Sequence, residues 1–496
     1  MPCRSHPLEE GDRQVLSMQH FINGRSVSAS DGAAIELVSP VTESVFGTSA
    51  AGTEADVDSA VKAARAQLDG GGWTTMSGVE RGALLNKLAD LVERDANIIA
   101  DLDASAIGRL PAEPLMLELP NGIGTLRNAA GWADKLEGRT IPTPGYMGMR
   151  TLSYTRLEPV GVVAAIVPWN TPFMITCWKV GPLLAAGCAV VIKPAEETPG
   201  SALHLAKLCQ EAGFPDGVVN VVTGRGEVVG DALCRHPGVD KVTFTGSPEV
   251  GRLIQQTAGG VFKRVALELG GKSPQIVFED APFDAAIQGC AAGLFFNQGQ
   301  VCAAGSRILV QRSIADRFSK TLAGAAASVK VGNPTEPGVQ MGAVAKKAQF
   351  DRINRYIRKG IEEGAEVLAG GVPYTGRGYF VQPTIFGNAS NAMTIAREEI
   401  FGPVGTIIPF DTQEEAIAIA NDSRYGLGAT VWTSDVARAH KVAHAVKAGA
   451  VGINCWGPID PRLPWGGMKS SGIGREGGLS GVLAYTEEKV ITVLLP

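Results

Sequence analysis

Cys302 is the residue of this chain whose surroundings most suggest chemistry. It lies in the stretch FFNQGQVCAAG (295–305), where glycine and alanine neighbours leave its sulfur reachable. A cysteine serves as a small core hydrophobe, half of a disulfide, a metal ligand or a nucleophile, and only its thiolate attacks or ligates. No histidine or lysine in the stretch would generate a thiolate. Taken alone, the stretch therefore favours a buried apolar role, and the rest of the sequence has to decide.

The composition excludes several classes of protein. None of the eight cysteines forms a CxxC pair and the six histidines lack metal-ligand spacing, so we predict no metal site. So few cysteines in 496 residues fit a reducing, cytoplasmic location better than a disulfide framework. The net charge of −5 predicts neither a nucleic-acid nor a membrane partner. The first residues lack the apolar core of a signal peptide, and no apolar run is long enough to span a bilayer.

Two polar side chains follow apolar runs at positions suited to catalysis. In LELGGKSP (267–274), Glu268 lies between leucines, where partial desolvation raises a carboxyl pKa toward the range of a general base. The alternative for Glu268 is a strand-end salt bridge. The stretch PWN (168–170) puts Asn170 at the end of a predicted strand, where its amide could donate to an oxyanion or stabilise a turn.

Glycines and charges after other apolar runs suggest a dinucleotide site. TGRGEVVG (223–230) has the spacing G-x-G-x-x-x-G, one residue longer than the dinucleotide fingerprint. FTGSPEVG (244–251) adds a strand-to-helix junction whose backbone N–H groups could face a pyrophosphate. Lys193 and Glu196 follow a further strand, and a carboxylate there could bind ribose hydroxyls while repelling a 2′-phosphate. Each feature alone also fits an ordinary turn or a solvated charged loop.

Strand and helix patterns alternate along the chain and predict an α/β fold. The β-rich runs of the first half are VGVVAAIVP (160–168), AVVIKP (189–194), GVVNVVTG (217–224) and KVTFTG (241–246). Helical patterns such as 201–213 lie between them, which favours a parallel, doubly wound sheet buried on both faces. The alternation restarts after residue 271 and predicts a second α/β domain. Asn23–Gly24 predicts an early hairpin, and Thr53 with Asp56 predicts a helix N-terminus.

Seven stretches together resemble the aldehyde dehydrogenase superfamily, in that family's order. They are PWN, VIKPAEETP, FTGS, LELGGKSP, FNQGQVC, EEIFGPV and PWGGMKSSGIGRE. The resemblance runs from about residue 18 to the C-terminus. It implies a Rossmann-like cofactor domain, an α/β catalytic domain and a β-strand oligomerisation arm.

The resemblance assigns expected roles to residues of this chain. Cys302 is expected to be the nucleophile, Glu268 the general base and Asn170 an oxyanion donor, with Lys179 and Glu476 linked to proton relay. The expected cofactor residues are Ile166, Pro168, Trp169, Lys193, Glu196, Gly226, Gly230, Phe244, Thr245, Gly246, Ser247, Val250, Leu269, Gln349, Glu399 and Phe401.

The implied reaction is the NAD-dependent oxidation of an aldehyde to a carboxylic acid through a thioester on Cys302. Glu196 favours NAD over NADP because it would repel the 2′-phosphate. Glu268 favours water over coenzyme A as the acyl acceptor, since relatives that acylate coenzyme A commonly lack this glutamate. Transfer to coenzyme A and a catalytically inactive binding protein remain the alternatives.

The substrate positions depart from the family pattern. Members that oxidise simple aliphatic or aromatic aldehydes often carry an aromatic residue after the oxyanion asparagine, whereas this chain has a threonine. The expected pocket residues are Thr171, Trp178, Phe296, Trp456, Ile459, Arg462 and Trp465. Their mostly apolar character favours a medium or aromatic aldehyde. Arg462 leaves open a semialdehyde whose carboxylate it would hold, or a solvated arginine. The stretch DASAIGRLPAEP (103–114) departs from the acidic–Gly–Lys pattern usual there.

The expected domain boundaries follow from the same resemblance. Residues 1–17 are expected to be a disordered extension, 18–139 with 159–270 the NAD-binding domain, and 271–470 the catalytic domain. Residues 140–158 and 471–496 are expected to form the arm of a homodimer or homotetramer.

Overall fold

The computed structural model describes residues 16–496. Most of the expected N-terminal extension, residues 1–15, lies outside the described residues. Its last two residues do not fit the expectation, because they belong to the strand Leu16–Met18. That strand pairs in parallel with Val45–Ala50, which pairs on its other side with Ala34–Val38.

The first large sheet has eight strands and confirms the predicted parallel core. In spatial order the strands are Gly472–Ile473, Arg264–Glu268, Lys241–Thr245, Val162–Ile166, Ala189–Lys193, Val219–Val221, His20–Ile22 and Arg25–Val27. The five strands from Arg264–Glu268 to Val219–Val221 run parallel to one another. Each of the three outer strands is antiparallel to the strand on its inner side. The hairpin predicted at Asn23–Gly24 is present, with positive φ at both residues.

Alternate residues of each central strand enter two different cores. Val163 and Ala165 pack into one hydrophobic cluster, whereas Val162 and Ala164 pack into the other on the opposite face of the sheet. Side chains point to opposite faces along a strand, so a continuous β-branched run buries both faces. This explains why these strands read as unbroken apolar stretches in the sequence.

The second large sheet has seven strands and follows the same rule. In spatial order they are Glu366–Ala369, Thr384–Gly387, Val404–Phe410, Arg307–Gln311, Pro274–Val277, Gly428–Trp432 and Ala450–Ile453. All neighbours are parallel except the first pair. Ile308 and Leu309 enter different clusters, so this sheet is also covered on both faces.

Helices cover both large sheets. Around the first they are Glu54–Leu68, Gly72–Thr75, Gly78–Arg94, Ala96–Ile107, Leu119–Trp132, Pro172–Ala186, Gly200–Ala212, Asp231–Arg235, Pro248–Gly259 and Gly478–Leu483. Around the second they are Phe283–Phe295, Arg312–Ser328, Lys347–Glu362, Thr394–Arg397, Gln413–Asn421 and Val436–Ala445. Thr53 and Asp56 form the predicted capping box. No helix within residues 16–496 has the length and apolar character needed to cross a bilayer.

A small antiparallel sheet joins the chain's last strand to an earlier segment. Thr486–Leu494 pairs along its whole length with Thr151–Pro159, which also pairs with Thr140–Ile141. Residues 471–485, which the sequence assigned to the arm, lie elsewhere. Gly472–Ile473 pairs with Arg264–Glu268 at the edge of the first large sheet, because backbone groups at that edge are open for pairing.

Candidate active site

The predicted polar residues gather at the carboxyl ends of the parallel strands of the first sheet. Thr245 and Glu268 end neighbouring strands and lie opposite each other in register. Asn170 follows the Val162–Ile166 strand, and Glu196 follows Ala189–Lys193. Ligands of open parallel sheets bind at this edge. The edge faces the second large sheet, whose loop supplies Cys302.

A cleft of about 200 Å³ runs along this edge and reaches Cys302. Ten residues of the cofactor and catalytic predictions line it together with Cys302: Pro168, Trp169, Asn170, Thr245, Gly246, Ser247, Leu269, Gln349, Glu399 and Phe401. The structure therefore brings together residues that lie more than two hundred positions apart in the sequence.

A left-handed turn delivers Cys302 to the cleft. Asn297, Gln298 and Gly299 all have positive φ, between 49° and 68°. A side chain on Gly299 would collide with the carbonyl oxygen of Gly402, so glycine is required there for both reasons. The turn ends the helix Phe283–Phe295 and turns the chain back toward Asn170.

The Gly270–Gly271 step lets the chain after the Arg264–Glu268 strand pass closely behind the nucleophile. A Cβ on Gly271 would lie 2.5 Å from the carbonyl oxygen of Cys302. The Gly271 N–H also donates to Glu399 Oε1 at 3.1 Å. The paired glycines in LELGGKSP are thus explained by close contacts, of Gly270 with the Glu399 side chain and of Gly271 with the Cys302 carbonyl.

The Cys302 thiol is protonated in the protein without ligands. Burial, followed by the negative charges of Glu399 and Glu268, raises its pKa to about 12. Backbone N–H groups of Ala303 and Cys302 act in the opposite direction. A thiolate at neutral pH therefore requires added positive charge in the cleft.

Asn170 is held beside the nucleophile with one amide hydrogen committed. Its side-chain Nδ2 donates to the backbone carbonyl of Gln300 at 3.0 Å, and its backbone carbonyl accepts from Asn297 Nδ2 at 2.8 Å. An amide carries two N–H groups. The second one is available to an oxygen atom in the cleft that Asn170 and Cys302 both line.

Glu268 is buried, and its surroundings favour the neutral form of its carboxyl. Burial, with the nearby charge of Glu476, raises the pKa of its carboxyl well above the usual range, against the effect of Lys179. Lys179 forms a buried ion pair with Glu476 and donates to Thr243 Oγ1 at 3.2 Å. One oxygen of Glu268 and one of Glu476 have no hydrogen-bond partner in the described part of the chain. These three groups form a buried cluster in which the charges of Lys179 and Glu476 act on the Glu268 carboxyl.

The cleft offers polar groups to a nucleotide ligand. Thr245 Oγ1 lines it and lacks a hydrogen-bond partner among residues 16–496, so a ligand's polar atom has a place to bind. At the outer strand ends, Glu196 accepts from Lys193 at 2.9 Å and from the Gly226 N–H at 2.6 Å. Burial raises the pKa of Glu196, but these partners lower it further, so that the net shift is downward and the carboxylate is anionic.

Comparison with known proteins identifies the family. The model of the "Aldehyde dehydrogenase family" matches residues 27–491. Aldehyde dehydrogenase 1A1 of Gallus gallus is 46% identical over 498 residues, covering 100% of this chain and 97% of that protein. Mitochondrial aldehyde dehydrogenase of Mesocricetus auratus is 47% identical over 492 residues, covering 99% and 98%. The solved NAD⁺ complex of an aldehyde dehydrogenase from Bacillus cereus superposes with a TM-score of 0.95 at 44% identity, covering 99% of both chains.

The chain belongs to the aldehyde dehydrogenase family. The resemblance drawn from seven short motifs is confirmed, as is the α/β fold with its cofactor and catalytic domains. General aldehyde oxidation and dependence on NAD or NADP follow from membership.

Besides lining the cleft, Cys302 of this aldehyde dehydrogenase packs against an apolar cluster. Met174, Trp178, Ala303, Leu427 and Trp465 form the cluster, and Ile459 packs against it. Trp178, Ile459 and Trp465 also line a cavity of about 180 Å³. The Trp456 ring lies 6.4 Å from that of Phe296 and donates its N–H to the carbonyl of Ala303. Thr171 is buried directly before the helix Pro172–Ala186.

Arg462 does not belong to this pocket. Its side chain is 79% exposed and binds Asp460 through two nitrogen atoms, at 2.8 and 2.7 Å. Its neighbours Pro461 and Leu463 line the cavity and it does not. The expectation that Arg462 is a pocket residue is therefore wrong for this cavity, and the alternative of a solvated arginine, here paired with Asp460, is the one observed.

The remaining predicted cofactor residues lie outside the cleft lining. Ile166 and Phe244 are core residues beneath the strand ends, Gly230 abuts Ile166, and the Val250 side chain is half exposed on the first turn of the Pro248–Gly259 helix. Their roles stay predictions.

Sequence reasoning missed several charged residues of the cleft. Lys346, Arg352, Arg424 and Glu249 all line it. Lys346 lies over the Trp169 ring at 5.7 Å and binds Glu197 at 2.6 Å. Its spacing of three residues from the predicted Gln349 was a signal that could have identified it.

Proposed function

We propose that this chain oxidises an aldehyde to the carboxylic acid with NAD⁺, through a thioester on Cys302 that water hydrolyses. The observation that carries the proposal is the position of Cys302. It lies where the cofactor cleft meets the apolar pocket, with the amide of Asn170 lining the same space. An aldehyde entering through the apolar pocket would meet the sulfur beside that amide.

The first step is attack of the Cys302 thiolate on the carbonyl carbon, forming a tetrahedral thiohemiacetal. The free N–H of Asn170 and the backbone N–H of Cys302 stabilise the oxyanion that develops. Collapse of this oxyanion expels the former aldehyde hydrogen as hydride and leaves a thioester on Cys302. The hydride acceptor and the positive charge that favours the thiolate come from NAD⁺ when it is bound.

The second step is hydrolysis of the thioester. Glu268, once its proton has been passed to the Lys179–Glu476 cluster, takes a proton from water, and the resulting hydroxide attacks the acyl carbon. Breaking the C–S bond releases the carboxylic acid and restores the sulfur. The burial that makes Glu268 a weak acid also makes its anion a strong base.

The cofactor would be held along the strand ends by the residues of the cleft. Thr245, Ser247 and the helix N-terminus at Pro248 suit the phosphates. Gln349, Glu399 and Phe401 line the same cleft as Cys302 and would face the nicotinamide end of the cofactor, and Gln349 fixes Phe401 through a 2.7 Å hydrogen bond to its carbonyl. The anionic Glu196 supports NAD rather than NADP, because a 2′-phosphate would face its charge.

The apolar pocket supports a neutral substrate of medium or aromatic character. With Arg462 bound to Asp460, the predicted pocket residues include no free cation. Trp178 and Trp465, with ring centroids 6.0 Å apart, offer two aromatic surfaces to the substrate.

The decisive experiment combines a substrate panel with two variants. NADH formation is followed with aliphatic, aromatic and carboxylate-bearing aldehydes, with Cys302→Ala as the inactive control. Glu268→Gln should release about one equivalent of NADH per site in a burst and then stall, since the thioester forms but is not hydrolysed. Turnover of wild type that requires coenzyme A would reject the hydrolytic step. Absence of any NADH despite measured NAD⁺ binding would reject oxidation altogether.

A further inference from the structure

Four ionisable side chains are buried behind the active site and take no part in the proposed steps. Asp103, Arg109, Glu113 and Glu118 are each at most 8% exposed. Asp103, Arg109 and Glu113 come from the stretch 103–114 that departs from the family's acidic–Gly–Lys pattern, and Glu118 follows it. Burying one guanidinium with three carboxyls is costly, and apolar residues of similar volume are often no less stable. A functional reason for retaining them should therefore be visible in their contacts.

Arg109 contacts the backbone of the oxyanion asparagine. Its Nη1 forms a buried ion pair with Glu118 and also donates to the carbonyl oxygen of Asn170 at 3.4 Å. Its Nε and Nη2 find no partner in residues 16–496. An arginine serving only its ion pair would use the two-pronged geometry that guanidinium and carboxylate share. Here one nitrogen is divided between Glu118 and Asn170.

Glu113 contacts the turn that delivers the nucleophile. Its Oε1 accepts from the backbone N–H of Asn297 at 3.3 Å. The Asn297 side chain then donates to the carbonyls of Asn170 and Gln300, and Gln300 in turn accepts from the Asn170 amide. Hydrogen bonds thus connect the buried group to Asn170, through Arg109, and to the turn before Cys302, through Glu113.

The local backbone is shaped to make these contacts. Residues Pro114–Glu118 form a π-helical turn, a wider turn than that of the α-helix Leu119–Trp132 that follows. Such turns are rare and re-aim side chains at functional sites. In this one, Glu118 faces Arg109 from within the same buried layer.

We propose that Arg109, held by Glu118, is a positioning residue for Asn170: it fixes the Asn170 carbonyl so that the free amide N–H faces the oxygen bound at Cys302. The inference rests on the proposed function, in which Asn170 stabilises the oxyanion. A displacement of about 1 Å at such a donor is enough to cost a large part of its effect.

A double-mutant cycle tests whether Arg109 acts through Asn170. The paired substitution Arg109→Met with Glu118→Gln removes both members of the ion pair, so that Glu118 is not left buried as a charge without its arginine. In the wild-type background it should lower kcat by roughly tenfold or more, with KM for NAD⁺ within about threefold. In the Asn170→Ala background the same pair should lower kcat by less than about twofold, since nothing is left to position.

Three controls make the outcome specific. Arg109→Lys retains the charge and a donor and should restore part of the lost kcat; it also closes the same cycle if the paired variant does not fold. Arg81→Met removes another arginine that binds backbone carbonyls, those of Ala185 and Met76, and should lower Tm without lowering kcat. The iodoacetamide reaction of Cys302 needs no oxyanion donor and should proceed at the wild-type rate in the paired variant.

The positioning role would be overturned by an equal fold-loss of kcat from the paired substitution in the wild-type and Asn170→Ala backgrounds, or by an unchanged kcat in the paired variant. Either result would leave the proposed oxidation intact. A wild-type protein that forms no NADH would instead overturn the proposed oxidation.

Discussion

At the scale of single residues, the proposed chemistry depends on three groups, and burial sets the acidity of two of them. The thiol of Cys302 and the carboxyl of Glu268 both lose acidity because water is excluded around them. Asn170 carries no charge, so its contribution depends on position alone. Each of the three therefore responds to a different change: charge near the sulfur, proton transfer near the carboxyl, and displacement of the amide.

Asn170→Ala tests the oxyanion donor. Loss of one such donor typically lowers kcat by about 10²–10³, and we expect that loss here with little change in NAD⁺ affinity. Steady-state NADH formation and a separate NAD⁺ titration measure the two quantities. A kcat within about threefold of wild type would show that the backbone N–H of Cys302 suffices.

Alkylation of Cys302 by iodoacetamide tests the ionisation of the sulfur. With its pKa raised to about 12 in the protein without ligands, the thiolate is a small fraction at neutral pH. Its alkylation rate should rise about tenfold per pH unit between about pH 7 and pH 9, and NAD⁺ should accelerate it at the lower pH. Mass spectrometry of the Cys302 peptide gives the rate, and the exposed Cys455 provides an internal reference. A rate independent of pH would contradict a protonated resting thiol.

At the scale of elements, the site is built where strands end and one turn reverses the chain. The positions of Thr245 and Glu268 follow from the register of two parallel strands. The position of Cys302 follows from three successive left-handed residues, Asn297 to Gly299. Strand register tolerates many substitutions, whereas the turn depends on particular side chains.

Gly299→Ala tests the turn. The added methyl group meets the carbonyl of Gly402 at a residue whose φ is 68°, so the turn has to move and carry Cys302 with it. We expect kcat to fall by roughly tenfold or more. Gly324→Ala is the matched control: it lies inside the Arg312–Ser328 helix with open space around it, and should raise stability slightly without affecting kcat. Equal activity of the two variants would contradict the requirement at Gly299.

The sequence predicted the strands far better than the turn. Runs such as VGVVAAIVP and AVVIKP are apolar because both sheet faces are buried, and this local pattern shows their secondary structure directly. Asn297, the first left-handed residue of the turn, is held by distant groups: Glu113 accepts from its backbone N–H and the Asn170 carbonyl accepts from its side chain. Likewise Arg109 gives no signal in its own neighbourhood, since its partner Asn170 is 61 residues away. Contacts of this kind come from the fold and not from the local sequence.

At the scale of the whole molecule, the antiparallel sheet of Thr486–Leu494, Thr151–Pro159 and Thr140–Ile141 bears on assembly, and the buried acids bear on stability. The strand Thr486–Leu494 leaves Val490, Val493 and Leu494 exposed, next to the exposed Leu152 of its partner strand. We propose that this apolar surface joins copies of the chain into the homodimer or homotetramer expected from the sequence.

Val490→Lys tests that surface. A charge in the centre of an apolar interface is unpaired when buried, so the mass in solution should fall toward that of the monomer. Light scattering coupled to size-exclusion chromatography measures the mass. Val372→Lys changes another exposed valine, remote from the sheet in sequence, and should leave the mass unchanged. A wild-type mass of 51.7 kDa would rule out the assembly itself.

The buried acids make stability depend on pH. Burial raises the pKa of Asp103, Glu113 and Glu399 to about 7. Between about pH 4 and pH 7 the folded state keeps protons that the unfolded state has released, so raising the pH in this window favours unfolding. Glu113→Gln removes one such group, and its Tm should fall less than that of wild type between about pH 5 and pH 7.5. Parallel Tm profiles for the two proteins would contradict the raised pKa of Glu113.

The short strand Gly472–Ile473 closes the first sheet from the far end of the chain, beside the strand that bears Glu268. Glu476, four residues beyond the start of this strand, completes the buried cluster with Lys179. During synthesis on the ribosome, the other strands of the first sheet emerge before this closing strand and before Glu476, the ion-pair partner of Lys179. The fully paired sheet and the buried Lys179–Glu476 pair can therefore form only when almost the whole polypeptide has been translated.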